Sequence, residues 1–173
     1  MALYCVGNYE FELGFNLQVR MPPAAKRVIL PAVKACLSGL PKKVLAQKLN
    51  PGLVYELNVA VVGPQTMQRL NGNYRKKDKP TDVLSFSRIE GIPTPHPEIG
   101  DVILCWKIAK AQAIEFKTTM RDELCRLTIH GVLHLFGYDH ETNQADARRM
   151  FALQNKILRS LRSEPRPVAQ KKK

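Results

Sequence analysis

The stretch Val54–Val62, VYELNVAVV, decides the fold class of this chain. It is short and rich in β-branched residues, and it ends at Gly63 and Pro64, which predicts a β-strand. From Gln65 the apolar residues recur at spacings of three and four, so a helix is expected until the basic run Arg75–Lys79. A strand that passes directly into a helix is typical of layered α/β domains.

Strands and helices alternate along the rest of the chain. Further strands are predicted over Phe11–Val19, Thr81–Ile89 and Gly100–Cys105. Helices are predicted from Ala24 to Leu40, from the end of the last strand to Phe116, from Thr119 to Phe136, and from Asn143 to Leu161. Pro31 is expected to kink or end the first of these helices. The predicted fold class is α/β, with a small mixed, mostly four-stranded sheet packed with helices.

The length and the composition are those of one globular domain, with 173 residues, 45% apolar and 24% charged. They exclude a disordered chain, a collagen and a coiled coil. We expect residues 1–163 to form a single domain and residues 164–173 to form a disordered basic tail. No apolar run is long enough to span a membrane and no signal peptide is visible, so a cytoplasmic protein is expected.

The four cysteines do not form a recognisable pair. Cys5, Cys36, Cys105 and Cys125 are far apart, form no C-x-x-C motif and have apolar neighbours. We therefore expect buried free thiols rather than disulfides or metal ligands.

The positive charge is concentrated in three segments. The net charge is +12, and residues 20–48, 69–79 and 156–173 carry +7, +4 and +6, so the rest of the chain is negative. Concentrated basic charge favours an anionic partner such as a nucleic acid. The three C-terminal lysines are expected to form only a solvated end.

Three of the four histidines lie in the segment His130–His140, HGVLHLFGYDH. His130 and His134 are four residues apart in a predicted helix, so their imidazoles share one face and can bind one ion. Gly137 allows the chain to leave the helix with a positive φ, and the turn can bring His140 to the same point. Three imidazoles leave a position open for water, as in catalytic zinc sites. The sequence thus predicts a metal site at a helix end.

The same spacing occurs in the H-E-x-x-H-x-x-G-x-x-H zinc proteases, in which the glutamate after the first histidine is the general base. Gly131 stands at this position. Because the group that would activate water and protonate the leaving amine is missing, peptide hydrolysis is disfavoured. The fourth histidine, His96, stands alone in a Pro-rich loop and is expected to have no functional role.

A second group of cations lies upstream, in the segment Leu70–Phe86, LNGNYRKKDKPTDVLSF. If this junction between a helix and a strand faces the metal, the guanidinium of Arg75 is available for the non-bridging oxygens of a phosphodiester. A solvated basic turn is the alternative interpretation.

Together with Gly100–Cys105 (GDVILC), these two segments resemble the YbeY family of bacterial endoribonucleases, the rRNA maturation factors. The resemblance covers roughly Leu57–Leu158. It implies that the three histidines bind one zinc ion and that Arg75 is functionally important. It also implies a metal-dependent, single-strand-specific RNA hydrolase that acts in the maturation of ribosomal RNA ends and in ribosome quality control. The expected partners are single-stranded or ribosomal RNA and the ribosome or its assembly factors.

The candidate residues have distinct expected roles. His130, His134 and His140 hold the ion, which makes His130 part of the catalytic centre, and Arg75 offsets the charge of the transition state. Asp139 is expected to orient an imidazole, or alternatively only to cap the turn.

Several neighbouring side chains have two interpretations each. The candidate RNA-binding residues, which otherwise belong to a solvated turn, are Lys76, Lys77 and Lys79. The candidate stacking surfaces for bases, which otherwise belong to the core, are Tyr74 and Phe86. The candidate orienting acids, which otherwise lie at turns or strand edges, are Asp82 and Asp101.

Two other functions stay open at this point. One is a non-catalytic zinc protein that binds RNA or the ribosome and uses the ion to stabilise a helix end. A water in the fourth metal position would distinguish the endoribonuclease from this non-catalytic protein. The other is a metalloprotease, which casein cleavage would support. Three imidazoles suit zinc, nickel and copper alike, so the residues do not determine the metal.

Overall fold

A mixed β-sheet lies at the centre of the fold. The computed structural model describes residues 2–19, 25–89 and 97–163. Within these ranges the strands are β1 (Ala2–Val6), β2 (Tyr9–Leu17), β3 (Val54–Val62), β4 (Val83–Ser87) and β5 (Glu98–Cys105). Their order in the sheet is β1-β2-β3-β5-β4. The central strands β2, β3 and β5 are parallel, whereas the edge strands β1 and β4 pair antiparallel.

The α/β class is confirmed, but the described sheet has five strands rather than four. The additional strand is β1, which forms a hairpin with β2 through a turn that contains Gly7 with a φ of +59°. A five-residue edge strand carries little pattern of its own, because its hydrogen bonds come from β2. Cys5 on this strand is exposed, so the prediction of a buried thiol is wrong for it. Cys36, Cys105 and Cys125 are buried, and burial raises the pKa of each thiol.

Helices cover both faces of this sheet. In the described ranges they are α1 (Lys26–Gly39), α2 (Lys42–Lys48), α3 (Pro64–Arg75), α4 (Trp106–Glu115), α5 (Met120–Leu135) and α6 (Gln144–Ser163). The first helix does not end at Pro31, which lies on its exposed side while Ile29, Val33 and Leu37 are buried. Packing of the buried side therefore outweighs the hydrogen bond that Pro31 removes. The short helix α2 has no counterpart among the predicted elements.

The two helix layers can be distinguished by the alternation of residues along β5. Val102 and Leu104 belong to the larger hydrophobic core, which includes residues of α1, α5 and α6. The alternate residues Ile103 and Cys105 belong to a smaller cluster with Met67 of α3. The histidine segment therefore begins on one face of the sheet, whereas the helix that ends at Arg75 covers the other face.

Helix α5 approaches the sheet closely at Gly131. A Cβ atom at this position would lie 2.6 Å from Cγ1 of Val102, so a larger residue would require a shift of the helix. The hydroxyl of Ser85 on β4 donates to the carbonyl of Gly131 at 3.0 Å. The helix begins after Thr119, whose hydroxyl accepts from a backbone N–H of the first turn. The contacts of Gly131 fix the end of α5 that carries the histidines, and the Thr119 cap fixes the other end.

Some predictions fall on residues that the structure does not describe. His96 lies outside the described residues, and so does the C-terminal segment 164–173. In the part of the chain that is described, no helix has both the length and the apolar character needed to cross a membrane.

Candidate metal centre

Three imidazoles converge at the C-terminal end of α5. His130 and His134 lie in the last turns of the helix, and His140 follows the turn after it. Gly137 in that turn has a φ of +83°, which glycine adopts without strain. One ligand nitrogen of each histidine lies within 4.8 Å of the others, and the Nε2 atoms of His130 and His134 are 3.2 Å apart. One local segment thus supplies the histidine cluster (His130, His134 and His140).

The side chain of Gln154 on α6 fixes the ring of His130. Its Oε1 atom lies 3.0 Å from His130 Nδ1, and the residue is 6% exposed. An amide oxygen only accepts hydrogen bonds, so Nδ1 carries the proton and Nε2 presents its lone pair to the cluster. Sequence reasoning missed Gln154, because a polar residue 24 positions after His130 has no pattern that links the two.

Phe151 of α6 covers the cluster. Its ring stacks on His130 and His140, with centroid distances of 6.5 and 5.5 Å. Burial lowers the pKa of His130 to about 4, and burial also lowers the pKa of His134. Both rings are therefore neutral at neutral pH, which is the form that binds a metal ion.

The donor set of the cluster fits a tetrahedral metal ion. Two nitrogen ligands that are each about 2.0–2.1 Å from zinc lie about 3.3 Å apart in tetrahedral geometry. The Nε2 atoms of His130 and His134 have nearly this separation, at 3.2 Å. Among the described residues, no other group of three histidine, cysteine or acidic side chains converges in this way.

Arg75 lies beside the histidine cluster and is held there by Glu141. Its Nη2 atom donates to both carboxylate oxygens of Glu141, at 3.0 and 2.9 Å, and Glu141 directly follows His140. The guanidinium lowers the pKa of the Glu141 carboxyl. The two side chains are 42% and 55% exposed, so the pair stabilises the fold little and a competing anion can separate it. The junction between α3 and β4 therefore faces the cluster.

Asn71 organises the basic turn after α3. Its buried side chain donates to the carbonyl of Lys79 at 2.7 Å, and its backbone carbonyl accepts from the N–H of Lys77 at 3.3 Å. Lys76 ends the helix with a φ of +58°. Arg75 lowers the pKa of the Glu141 carboxyl most strongly, and the positive charge of Lys77 lowers it further. All three predicted RNA-binding lysines are exposed.

The sequence of this chain matches a known protein family. The family model for Endoribonuclease YbeY matches residues 30–162. The chain belongs to the YbeY family. The Endoribonuclease YbeY of Sulfurihydrogenibium sp. is 45% identical over 131 residues, which cover 76% of this chain and 85% of that protein. The one from Persephonella marina is 44% identical over 109 residues, which cover 62% of this chain and 71% of that protein.

A solved structure is similar to this YbeY-family chain along nearly its whole length. The solution structure of TM1509 from Thermotoga maritima superposes with a TM-score of 0.52 and is 28% identical. The alignment covers 94% of this chain and 100% of that one. The sequence resemblance to the family is thus confirmed, and the fold agrees with it.

Gly131 has a packing role in this member of the YbeY family. The position at which zinc proteases carry their glutamate faces the sheet, where a Cβ atom would contact Val102 and Ser85. A glutamate there would point into the core rather than toward the three imidazoles. The expectation against peptide hydrolysis thus has a steric basis as well as a chemical one.

The carboxylate of Asp139 contacts the backbone of the turn. Its Oδ1 atom accepts from the N–H of Glu141 at 2.8 Å, and this bond lowers the pKa of Asp139. The contact corresponds to the capping alternative, because it stabilises the turn that presents His140. The partner that orients an imidazole is Gln154.

The structure places the other two candidate acids in ion pairs. Asp82 accepts from Gln112 at 3.1 Å and lies 3.8 Å from the guanidinium of Arg126 on α5. Asp101 lies 2.7 Å from the guanidinium of Arg88. These contacts correspond to structural roles at strand positions.

The two candidate aromatic residues differ in exposure. Tyr74 is 65% exposed, and its ring meets that of Phe86 edge to face at a centroid distance of 4.7 Å. Phe86 is partly buried against the smaller hydrophobic cluster. A free aromatic face therefore lies one residue from Arg75, with Phe86 as its support.

Proposed function

We propose that this protein is a metal-dependent endoribonuclease that hydrolyses single-stranded RNA and holds one zinc ion at the histidine cluster. The observation that carries the proposal is the convergence of three imidazoles, with Arg75 paired to the residue that follows the third. A metal with a nearby guanidinium suits a phosphodiester, whose non-bridging oxygens need cationic partners. The name of the relatives, Endoribonuclease YbeY, supports the same reaction class.

The residues around the cluster prepare it for an ion. When bound, zinc supplies Lewis acidity, which lowers the pKa of a water ligand and polarises a phosphoryl oxygen. The bond between His130 Nδ1 and Gln154 keeps Nε2 aimed at the ion position. Phe151 shields two of the three rings from solvent on one side.

Arg75 changes partner when the substrate binds. Before binding, Glu141 holds the guanidinium next to the cluster through one exposed ion pair. A phosphodiester oxygen then takes the place of the Glu141 carboxylate, because exposed ion pairs are worth only about 1 kcal/mol or less. In the transition state the guanidinium offsets the charge that develops on the phosphoryl oxygens.

The surroundings of Arg75 support a single-stranded substrate. The exposed ring of Tyr74 offers a stacking surface to an unpaired base. The amino groups of Lys76, Lys77 and Lys79 lie on the same turn and contact neighbouring phosphates. The family resemblance adds the biological part of the proposal, which is maturation of ribosomal RNA and ribosome quality control in the cytoplasm, with the ribosome or its assembly factors as partners.

The proposal is tested by a metal assay together with RNA cleavage. Zinc-loaded wild-type protein should cleave a single-stranded RNA and leave the matching duplex intact. Arg75→Ala should lower kcat on the single strand by about 10²–10³-fold, the usual cost of a lost transition-state contact, with zinc content unchanged. Arg69→Ala, which removes an exposed cation from the same helix, is the matched control and should cleave normally.

Three outcomes would contradict the proposal. Loss of zinc from the Arg75 variant would make this residue structural. A zinc-loaded wild type that binds RNA without cleaving it would favour the non-catalytic zinc protein. Cleavage of casein by the same sample would favour the protease.

A further inference from the structure

A groove between α1 and α6 has a volume of about 840 Å³. Lysines from three different helices line it: Lys34 of α1, Lys42 of α2 and Lys156 of α6. Leu153 and Ile157 contribute to an apolar wall between these cations. A nucleic-acid single strand needs these two features together, because its phosphates contact cations and its bases pack on apolar or aromatic surfaces.

An aromatic ring in this groove is fixed in place. The hydroxyl of Tyr4, on β1, lies 2.6 Å from Ser38 Oγ and donates to the carbonyl of Lys34 at 3.3 Å. The amino group of Lys34 is 5.0 Å from the centroid of the same ring. The ring and the cation therefore lie side by side before any ligand binds.

Among the described residues, the charged side chains that line this groove are all basic. In the described chain no acidic residue lines the groove. The two helices α1 and α2 carry no acid, and their cations are Lys26, Arg27, Lys34, Lys42, Lys43 and Lys48. The acids of β2, Glu10 and Glu12, alternate with the buried residues Phe11 and Leu13, so they point to the opposite face of the sheet. The described lining of the groove, with three lysines and no acid, therefore attracts an anion.

Two elements connect the groove with the metal centre. On α6, Leu153 lines the groove and the next residue, Gln154, bonds the first histidine of the cluster. Helix α2 begins at the groove with Lys42 and ends at Lys48, whose Nζ lies 3.7 Å from the position of a Cβ atom at Gly137. Helices α2 and α6 therefore extend from the groove to the surroundings of the histidine cluster.

From this arrangement we propose that the groove holds the part of a single-stranded RNA substrate that lies beyond the scissile bond. The inference rests on the proposed function and extends its substrate contact to a second region. Lys34, Lys42 and Lys156 contact phosphates, and Tyr4 with the apolar wall contacts the bases. RNA is favoured over an acidic protein segment because α2 and α6 connect the groove with the site at which an RNA backbone is cleaved.

The test removes the three groove lysines together, in the full-length zinc-loaded protein. The variant is Lys34→Ala with Lys42→Ala and Lys156→Ala, and its matched control is Lys107→Ala with Lys110→Ala and Arg121→Ala, exposed cations of α4 and α5. Both variants are measured on single-stranded RNAs of about 30 and about 4 nucleotides, because single-strand sites typically span about 4–16 nucleotides. Urea unfolding verifies that both variants are folded.

For the groove variant we expect a higher KM on the long RNA with an unchanged kcat. The slope of log KM against log salt should fall by about 2, because each single-strand phosphate contact contributes about 0.7. The ratio of KM for the long RNA to KM for the short RNA should rise in the groove variant and stay constant in the control variant.

Equal KM values and equal salt slopes in the two variants would overturn the proposal, and so would an equal rise in KM on both RNAs. If the wild type cleaves neither RNA, the proposed function fails. RNA binding by the groove is then measured by fluorescence anisotropy with the long RNA. Weaker RNA binding only in the groove variant then supports the proposal that the groove binds RNA. Equal RNA binding by both variants, or binding of polyglutamate instead of RNA, overturns that proposal.

Discussion

Helix α5 carries two polar clusters about one turn apart, and their groups are stabilised in opposite ways. In the ionic cluster (Asp82, Glu123 and Arg126), the buried carboxylate of Glu123 accepts from Arg126 at 2.5–3.2 Å. Asp82 lies 3.8 Å from the same guanidinium. In the histidine cluster the rings of His130 and His134 are neutral at neutral pH, and their Nε2 atoms face each other at 3.2 Å.

The difference between the two clusters separates a structural site from a candidate active site. Buried polar groups need partners, and the ionic cluster supplies its own. The histidine cluster does so only in part: Gln154 pairs with Nδ1 of His130, while one nitrogen of each ring lies within 4.8 Å of the other two. Convergent imidazole nitrogens, rather than charge, therefore distinguish the candidate metal site.

The largest expected effect comes from a ligand of the histidine cluster. His134→Ala should remove both the bound zinc and RNA cleavage, because two remaining imidazoles do not hold the ion against dialysis. Metal content after dialysis and cleavage of a single-stranded RNA measure the two effects. A variant that keeps one zinc per chain would contradict the assignment of His134 as a ligand.

A smaller effect is expected at the residue that orients His130. Gln154→Leu removes the acceptor for Nδ1 and should weaken zinc binding by about 10–100-fold, as is usual for the loss of a partner that orients a ligand. Competition with a chromogenic zinc chelator measures the affinity. Gln154→Glu keeps an acceptor oxygen at this position and should retain most of the zinc affinity.

This pair of variants distinguishes positioning from packing. Urea unfolding of the zinc-free proteins should place Gln154→Leu close to the wild type, since leucine fills a similar volume. Equal zinc affinity in the Leu and Glu variants would remove the positioning role.

A substitution in the ionic cluster should lower the stability of the fold and leave zinc binding unchanged. Glu123→Gln should lower the free energy of unfolding by about 1–3 kcal/mol, because Arg126 loses its charged partner in a partly buried site. Zinc affinity and kcat should stay at the wild-type values. Urea unfolding and the chelator assay measure the two effects, and a weakened zinc site in this variant would mean that the two clusters are coupled.

The features that could be predicted from the sequence are those that local spacing determines. His130 and His134 share one helix face because they are four residues apart, and Gly137 provides the positive φ that lets the chain turn. The strand Val54–Val62 was predicted with its observed bounds, because its β-branched run is unambiguous.

The features that sequence reasoning missed depend on partners elsewhere in the chain. Strand β1 is stabilised by β2, and α1 continues through Pro31 because its other side is packed. The exposure of Cys5 follows from the edge position of β1. Apolar neighbours in the sequence indicate burial only when the element itself lies in the interior.

By itself, the sequence determined the class of the fold, three candidate ligands on one short segment, and an excess of positive charge. Only the tertiary structure decided what surrounds those histidines: Gln154 from α6, Arg75 from the opposite helix layer, and Glu141 as its present partner. The physical reason is that helical periodicity orients residues within one turn of each other. Contacts across 24 or 66 residues exist only after the sheet has packed against both helix layers.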